Sequence, residues 1–207
     1  MNTNWNDKDT KFHPDSALDF LPVEHMRELQ LQRLKAVVRL AYDRVKLVRE
    51  RMDERGVKPS DIRSLKDIAL LPFMQKTDLR DTYPYGLFAV DMSEVIRLHA
   101  SSGTTGKPIV VGYTAEDLAV WESTVRRALL MYGVRRGDIV QVSYGYGLFT
   151  GGLGAHGGAQ SLGCTVVPAS GGNTERQVML LKDFGVTAMA CTPSYFIHVI
   201  EQAQKMG

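Results

Sequence analysis

Apolar residues recur at spacings of three and four through Leu34, Val37, Val38, Ala41, Val45, Val48 and Met52. That period gathers them on one helical face and predicts a single helix from Pro22 to Arg55. Pro22 suits its first turn, and Gly56 suits the position just past its end. Residues 1–20 read as a loose arm. The opposite face carries Arg33, Arg39, Arg44, Arg49, Glu50 and Arg55. Arginines on a helix can grip RNA, but Glu28, Asp43, Glu50, Asp53 and Glu54 interleave with the bases, which favours a solvated face. Next, Ser64-Leu65-Lys66-Asp67 has the form of a capping box, and Leu71-Pro72 stops the short helix it opens. Thr77 is expected to cap a helix from Asp78 to Thr82, and Tyr83-Pro84-Tyr85-Gly86 reads as a turn. Residues 21–93 thus form a helical amino-terminal segment.

From residue 94 the period changes. Val95 to Ala100 and Ile109 to Val111 read as strands separated by a loop of small residues. Thr114-x-x-Asp117 opens a helix running to Tyr132, with Gly133 as its stop. Strands at Ile139–Tyr144, Cys164–Val167 and Thr187–Cys191 then alternate with three helices. These lie near 152–162, from Thr174-x-x-Gln177 to Phe184, and from Thr192-Pro193 onward. Such alternation predicts an α/β fold with a mostly parallel sheet flanked by helices over 94–207. The chain stops inside a helical pattern, which suggests that the remainder of the sheet lies elsewhere.

Composition narrows the function. The 207 residues are 44% hydrophobic and 23% charged, with a net charge of +2. That balance gives no reason to expect nucleic acid or an anionic membrane as partner. Met1 to Pro14 holds no apolar leader core, and no run reaches the roughly 18 apolar residues that span a bilayer. The expected location is the cytoplasm. Cys164 and Cys191 sit in apolar, strand-like runs and read as small buried residues, with no metal set around them.

The densest chemical signal is Ser101-Ser102-Gly103-Thr104-Thr105-Gly106-Lys107-Pro108. Glycines let a backbone approach a ligand, and successive amide N–H groups can form an anion nest. Four hydroxyls add neutral donors and Lys107 a mobile charge, which suits a polyphosphate. The P-loop of kinases and ATPases differs. It needs glycine where Ser101 stands and a hydroxyl where Pro108 stands, and it opens a helix, whereas this loop runs into a strand. A plain flexible turn remains the bland alternative.

The segment resembles the phosphate signature [ST]-[ST]-G-[ST]-T-G-x-P of adenylate-forming enzymes. Within that group, four further stretches are similar to phenylacetate-CoA ligases. These are Leu71-Pro72-Phe73 through Gly86-Leu87-Phe88-Ala89, then Tyr144 to Gly154, Ser170-Gly171-Gly172-x-Thr174-x-Arg176-Gln177, and Thr192-Pro193-Ser194-Tyr195. The resemblance covers about residues 20–207 and corresponds to the amino-terminal part of the large domain.

It implies an aryl-acid:CoA ligase. The acid carboxylate attacks the α-phosphorus of ATP to give acyl-AMP and pyrophosphate, and coenzyme A then displaces AMP. By resemblance, Ser101, Ser102, Gly103, Thr104, Thr105, Gly106 and Lys107 hold the ATP phosphates. Tyr144, Tyr146, Phe149, Thr150, Gly151 and Gly172 are candidates for the aryl-acid pocket, with Gly151 and Gly152 leaving room for the ring. Packing is the competing reading for each aromatic. His99 and His156 read as hydrogen-bonded structural histidines. Where the family often has a bulky aromatic and then Gly-Ala-Glu after the histidine, this chain has Gly157-Gly158-Ala159-Gln160, which puts the acid in doubt more than the reaction. Members are expected to be roughly twice as long, well beyond one ordinary domain. The adenine and ribose sites, the Mg2+ ligand and a catalytic lysine are therefore expected outside this chain, and no catalytic residue is named within it. The isolated chain is expected to lack turnover and to self-associate as a homo-oligomer. A truncated binding or regulatory module, or a relative adenylating another aryl acid or a deazaflavin, stays open.

Overall fold

The computed structural model describes residues 13–101 and 107–207. These form two compact units, Asp19–Ala115 and a second joining the described residues up to Leu18 with Glu116–Gly207.

In the Asp19–Ala115 unit, the long helix foreseen from the pattern is two helices, α1 (Val23–Arg44) and α2 (Lys46–Glu54). The break is one residue, Val45, at φ −107° and ψ 107°. The Val45 amide still donates to Ala41 O, and Arg49 N donates to Val45 O, so the ladder resumes at once. A β-branched residue gives up little by leaving the helical well, and its side chain is buried there. Val38, Met52, Val57 and Ile62 make the core, with Leu34, Tyr42, Val48 and Leu71 against it. Val37, assigned to the same face by spacing, is 56% exposed. Beyond α2, Gly56 at φ +66° lets Val57 N reach Met52 O and Gly56 N reach Asp53 O, closing the helix end as anticipated.

Two acidic residues set the next turns. Asp67 accepts from the Ser64 and Arg63 amides and from Ser64 Oγ, which opens a 3-10 helix at Leu65–Leu70. The following helix, α3, runs from Lys76 to Asp81. Its start is made by Asp78, whose Oδ2 accepts from Gln75 N at 2.7 Å, and not by Thr77. The same carboxylate takes both ends of the Arg51 guanidinium at 2.6 and 2.7 Å, tying α3 to α2. Strands β1 (Arg97–Ala100) and β2 (Val110–Tyr113) pair antiparallel, from Arg97 opposite Tyr113 to Ala100 opposite Val110.

The second unit is α/β. Helix α4 (Ala115–Met131) leads to β3 (Ile139–Val142), α5 (Thr150–Leu162), β4 (Thr165–Val167), α6 (Thr174–Asp183), β5 (Ala188–Ala190) and α7 (Pro193–Met206). The sheet order is β4-β3-β5, with both pairs parallel. Leu130, Val134, Val140, Ala159, Leu162 and Cys164 form the core. Helix α5 lies close to α4 because its facing side is glycine. A Cβ on Gly158 would stand 2.3 Å from Val125 Cγ1. Buried Asp138 sits at the base of β3, accepting from Arg135 N and from Thr187 Oγ1 just before β5. Two details differ from the sequence reading. Helix α6 is capped by Asn173, whose Oδ1 accepts from Arg176 N, and not by Thr174. Pro14–Phe20 is a 3-10 helix in which Asp15 meets Arg126 at 3.0 Å.

Two outcomes follow from this packing. Gly158→Val should lower stability by about 1–3 kcal/mol, read by urea denaturation, because stiff Val125 cannot yield the space. Gly171→Ala, where a Cβ meets nothing within 4 Å, should be near neutral. The Arg51 guanidinium, followed by the Gln75 amide, holds the Asp78 carboxyl below its ordinary value of 3.8. The stability this adds is complete above that value and is lost as pH falls through the lower folded value. Thermal melts from pH 7 to pH 2 should show this acid loss in the parent chain and a smaller one in Asp78→Asn.

Candidate functional site

The loop between β1 and β2 is closed at its base. Ser101 N donates to Ile109 O at 3.0 Å, and Ile109 N donates to Ser101 Oγ at 2.9 Å. The hairpin therefore continues one step past the ladder and brings the two loop ends together. Ser102, Gly103, Thr104, Thr105 and Gly106 lie outside the described residues. Lys107 is exposed, and its Nζ stands 5.4 Å from the centre of the Tyr83 ring, a cation–π distance. His99 on β1 is buried and meets Tyr113 edge-on at 5.5 Å, a packed position within the hairpin.

In the α/β unit, topology marks a second region. From β3 the chain passes to β4 on one side, then crosses to β5 on the other. Open α/β sheets bind ligands beyond the carboxyl ends of their strands, where the order reverses in this way. Three stretches singled out in the sequence leave those ends. Ser143 to Phe149 follows β3, Pro168 to Asn173 follows β4, and Cys191-Thr192 follows β5. Parallel pairing puts all three on one edge.

The acid-pocket candidates divide by geometry. A Cβ on Gly151 would lie 3.3 Å from Phe149 and 3.8 Å from Tyr144, so both rings border the bare face of this glycine. Phe149, just ahead of Thr150 at the start of α5, is 67% exposed. Gly152 differs from the expectation. Its Cβ would fall 2.6 Å from Gly145 O, so this glycine admits the preceding loop and leaves no room for a ring. Tyr146 turns to α5, where its hydroxyl is 3.2 Å from His156 Nδ1 and the rings meet at 88°. Burial raises the phenol's pKa, so it stays protonated at neutral pH. When it donates to Nδ1, the imidazole proton is left on Nε2.

Gly172 lies in a contorted loop. Ser170, Gly172 and Asn173 have φ of 64°, 83° and 45°. The left-handed region costs a non-glycine residue about 1 kcal/mol or more, so the loop needs support. Part of it comes from a group that sequence reasoning missed. Buried Gln141, Ser143 and Gln177 form one network, in which Gln177 accepts from Gln141 Nε2 at 3.0 Å and from Ser143 Oγ at 2.5 Å. In the sequence Gln177 stands out only as the fourth residue of the Thr174-x-x-Gln177 helix start. The available signal was Gln141, polar in the middle of the apolar run Ile139-Val140-Gln141-Val142. Among the described residues, no group of three or more His, Cys, Asp or Glu could hold a metal ion, and no helix is long and apolar enough to cross a membrane.

No family model matches the chain. Individual proteins do. The chain is 54% identical over 185 residues to the phenylacetate-coenzyme A ligase of Pseudomonas putida, covering 89% of this chain and 42% of that one. It is 56% identical over 190 residues to that of Thermus thermophilus, covering 92% and 43%. Against that of Escherichia coli it is 48% identical over 196 residues, covering 95% and 44%. Among solved structures it superposes on 2-hydroxyisobutyryl-CoA ligase in complex with 2-HIB-AMP and CoA, with a TM-score of 0.86 and 30% identity over 96% of this chain and 45% of that one. The fold and these likenesses together correspond to part of the large domain of an adenylate-forming CoA ligase. Within that class the chain matches the amino-terminal part of phenylacetate-CoA ligases, at 48–56% identity. It spans less than half the length of the relatives it matches.

Replacing Tyr146 by Phe keeps the ring and removes the hydroxyl. Stability should fall by about 1 kcal/mol, and nitrogen NMR should show His156 moving from one tautomer to a mixture. Unchanged spectra would mean that the pair is not bonded in solution.

Proposed function

We propose that this chain supplies the phosphate loop and the acid-binding edge of an ATP-dependent ligase joining an aryl acid to coenzyme A. The observation that carries the reading is identity of 48–56% to four phenylacetate-coenzyme A ligases along about nine-tenths of the chain. In the first step a carboxylate oxygen bonds to the α-phosphorus as the bond to the pyrophosphate oxygen breaks. In the second, the thiol sulfur bonds to the acyl carbon and AMP leaves. Neither step asks for a nucleophile from the protein, so its work is positioning and charge stabilisation.

Ser101 to Lys107 would donate to the β- and γ-phosphates and to the departing pyrophosphate. The closed base of the hairpin supports this, because it presets the loop ends before ATP arrives. Tyr144 and Phe149 would wall the aryl ring beside the bare face of Gly151, with Thr150 and Gly172 bordering it. Tyr146, engaged with His156, would shape the pocket from behind. The adenine and ribose sites, the Mg2+ ligand and a catalytic lysine would come from the remainder of a chain of the relatives' length. A cytoplasmic homo-oligomer fits the reading. Its support is the exposed apolar surface of α7, at Phe196, Ile197 and Ile200.

A graft tests the proposal. This chain, substituted for the matching residues of the Thermus thermophilus ligase, should restore ATP–pyrophosphate exchange dependent on phenylacetate. Lys107→Met should lower that exchange by roughly tenfold or more. A panel of benzoate, phenylacetate and 2-hydroxyisobutyrate reads the acid class. A folded graft that exchanges with no aryl acid would defeat the reading, and the isolated chain should show no turnover.

A further inference from the structure

The Gln177 side chain is 2% exposed, and each of its hydrogen-bonding positions is taken. Nε2 donates to Ser170 O and to Gly172 O, both at 2.9 Å. Oε1 accepts from Ser143 Oγ and from Gln141 Nε2. A primary amide offers two donors and two acceptor directions, so the group is fully used. Its orientation is settled as well, because only the NH2 end can face two carbonyls.

The partners matter more than their number. Ser143 is the first residue after β3, and Ser170 and Gly172 belong to the loop after β4. One side chain on α6 therefore joins two loops at the ligand-binding edge of the sheet. The loop after β4 is also where Ser170 and Asn173 hold left-handed φ without being glycine. Asn173 has its own compensation in capping α6. Ser170 has its amide on Val142 O and its carbonyl on Gln177. Backbone held away from its preferred region persists where the surroundings over-determine it, and such places cluster at binding sites.

We propose that Gln177 is a positioning residue for the acid-binding step. It clamps the Ser170–Gly172 turn and the start of the Tyr144–Phe149 loop in one register, so that the pocket is set before the acid enters. The proposal rests on the reading of this edge as the acid site. Gln177 touches no substrate and takes part in no proton transfer. Its effect passes through the backbone of Gly172 and through Ser143, next to Tyr144.

Two variants separate clamping from filling. Gln177→Met keeps the length and removes every hydrogen bond. Gln177→Glu keeps the shape and, when ionised, turns acceptors toward two carbonyls. In the 207-residue chain, hydrogen exchange at the Ser170 amide should quicken by about tenfold or more in both variants, while amides of α6 and β3 exchange as before. In the grafted ligase, the KM for phenylacetate should rise by about tenfold, with KM for ATP within about twofold of the parent. Equal exchange in all three proteins would overturn the clamp, and so would faster exchange across the whole unit, the mark of a residue that only fills the core. Changed exchange at Ser170 with no shift in the KM for phenylacetate would overturn the link to acid binding. A parent graft without phenylacetate-dependent exchange of pyrophosphate would instead count against the functional reading, and the hydrogen-exchange result would still decide the clamp.

Discussion

The α/β unit depends on β3 being parallel to both of its neighbours. Three short strands, Ile139–Val142, Thr165–Val167 and Ala188–Ala190, offer few ladder hydrogen bonds, but their common direction has a large consequence. Every strand must discharge its chain at the same edge, and every return must cross by a helix on a face of the sheet. The stretches after β3, β4 and β5 are distant in sequence and share that edge. A parallel sheet thus separates its labour, with the helices and strands burying apolar area and the carboxyl edge left free for polar and aromatic loops.

Such an edge needs more than direction. Loops carry unsatisfied backbone groups, and buried side-chain amides and carboxylates are the groups that tie them down. Asp138 ties the base of β3 to the approach to β5 through Thr187. Gln177 ties the exits of β3 and β4. In the Asp19–Ala115 unit the same device appears as Asp78, which starts α3 and grips Arg51 on α2 with one carboxylate. Each is a polar group with at least one bond to another element. The loss of one partner leaves the others unpaired in a poorly solvated place, so such groups act as joints more than as adhesives.

The two candidate regions are built by different means. The loop of Ser101 to Lys107 hangs on an antiparallel hairpin, whose register continues into the paired contacts of Ser101 and Ile109. The proposed acid edge hangs on a parallel sheet and on close helix contacts made possible by small residues. Gly152 lets its helix approach the Gly145 carbonyl, and Gly158 lets it approach Val125. The glycines in Tyr144 to Gly158 are therefore not one feature. Gly151 faces two aromatic rings, while Gly152 and Gly158 face packed atoms.

By itself the sequence determined the elements and their class. Period and turn residues suffice for this, because helices and strands are local and their ends are set by Gly56, Asp67 and the strand–helix alternation after residue 138. The clustering of glycine, hydroxyl and lysine in Ser101 to Lys107 was equally legible, since those residues are neighbours in the chain. Tertiary structure alone decided the rest. It broke the first helix at Val45, which leaves the helical region for one residue while its side chain stays buried and the hydrogen-bond ladder resumes. It moved the cap of α6 from Thr174 to Asn173, a choice between two adjacent capping residues that the chain pattern leaves open. It also took Gln177 from a helix start into the interior, where its partners come from two other loops. A side chain that bonds across 34 positions of chain leaves no periodic trace. The register of the sheet, which only folding supplies, brings its partners within reach.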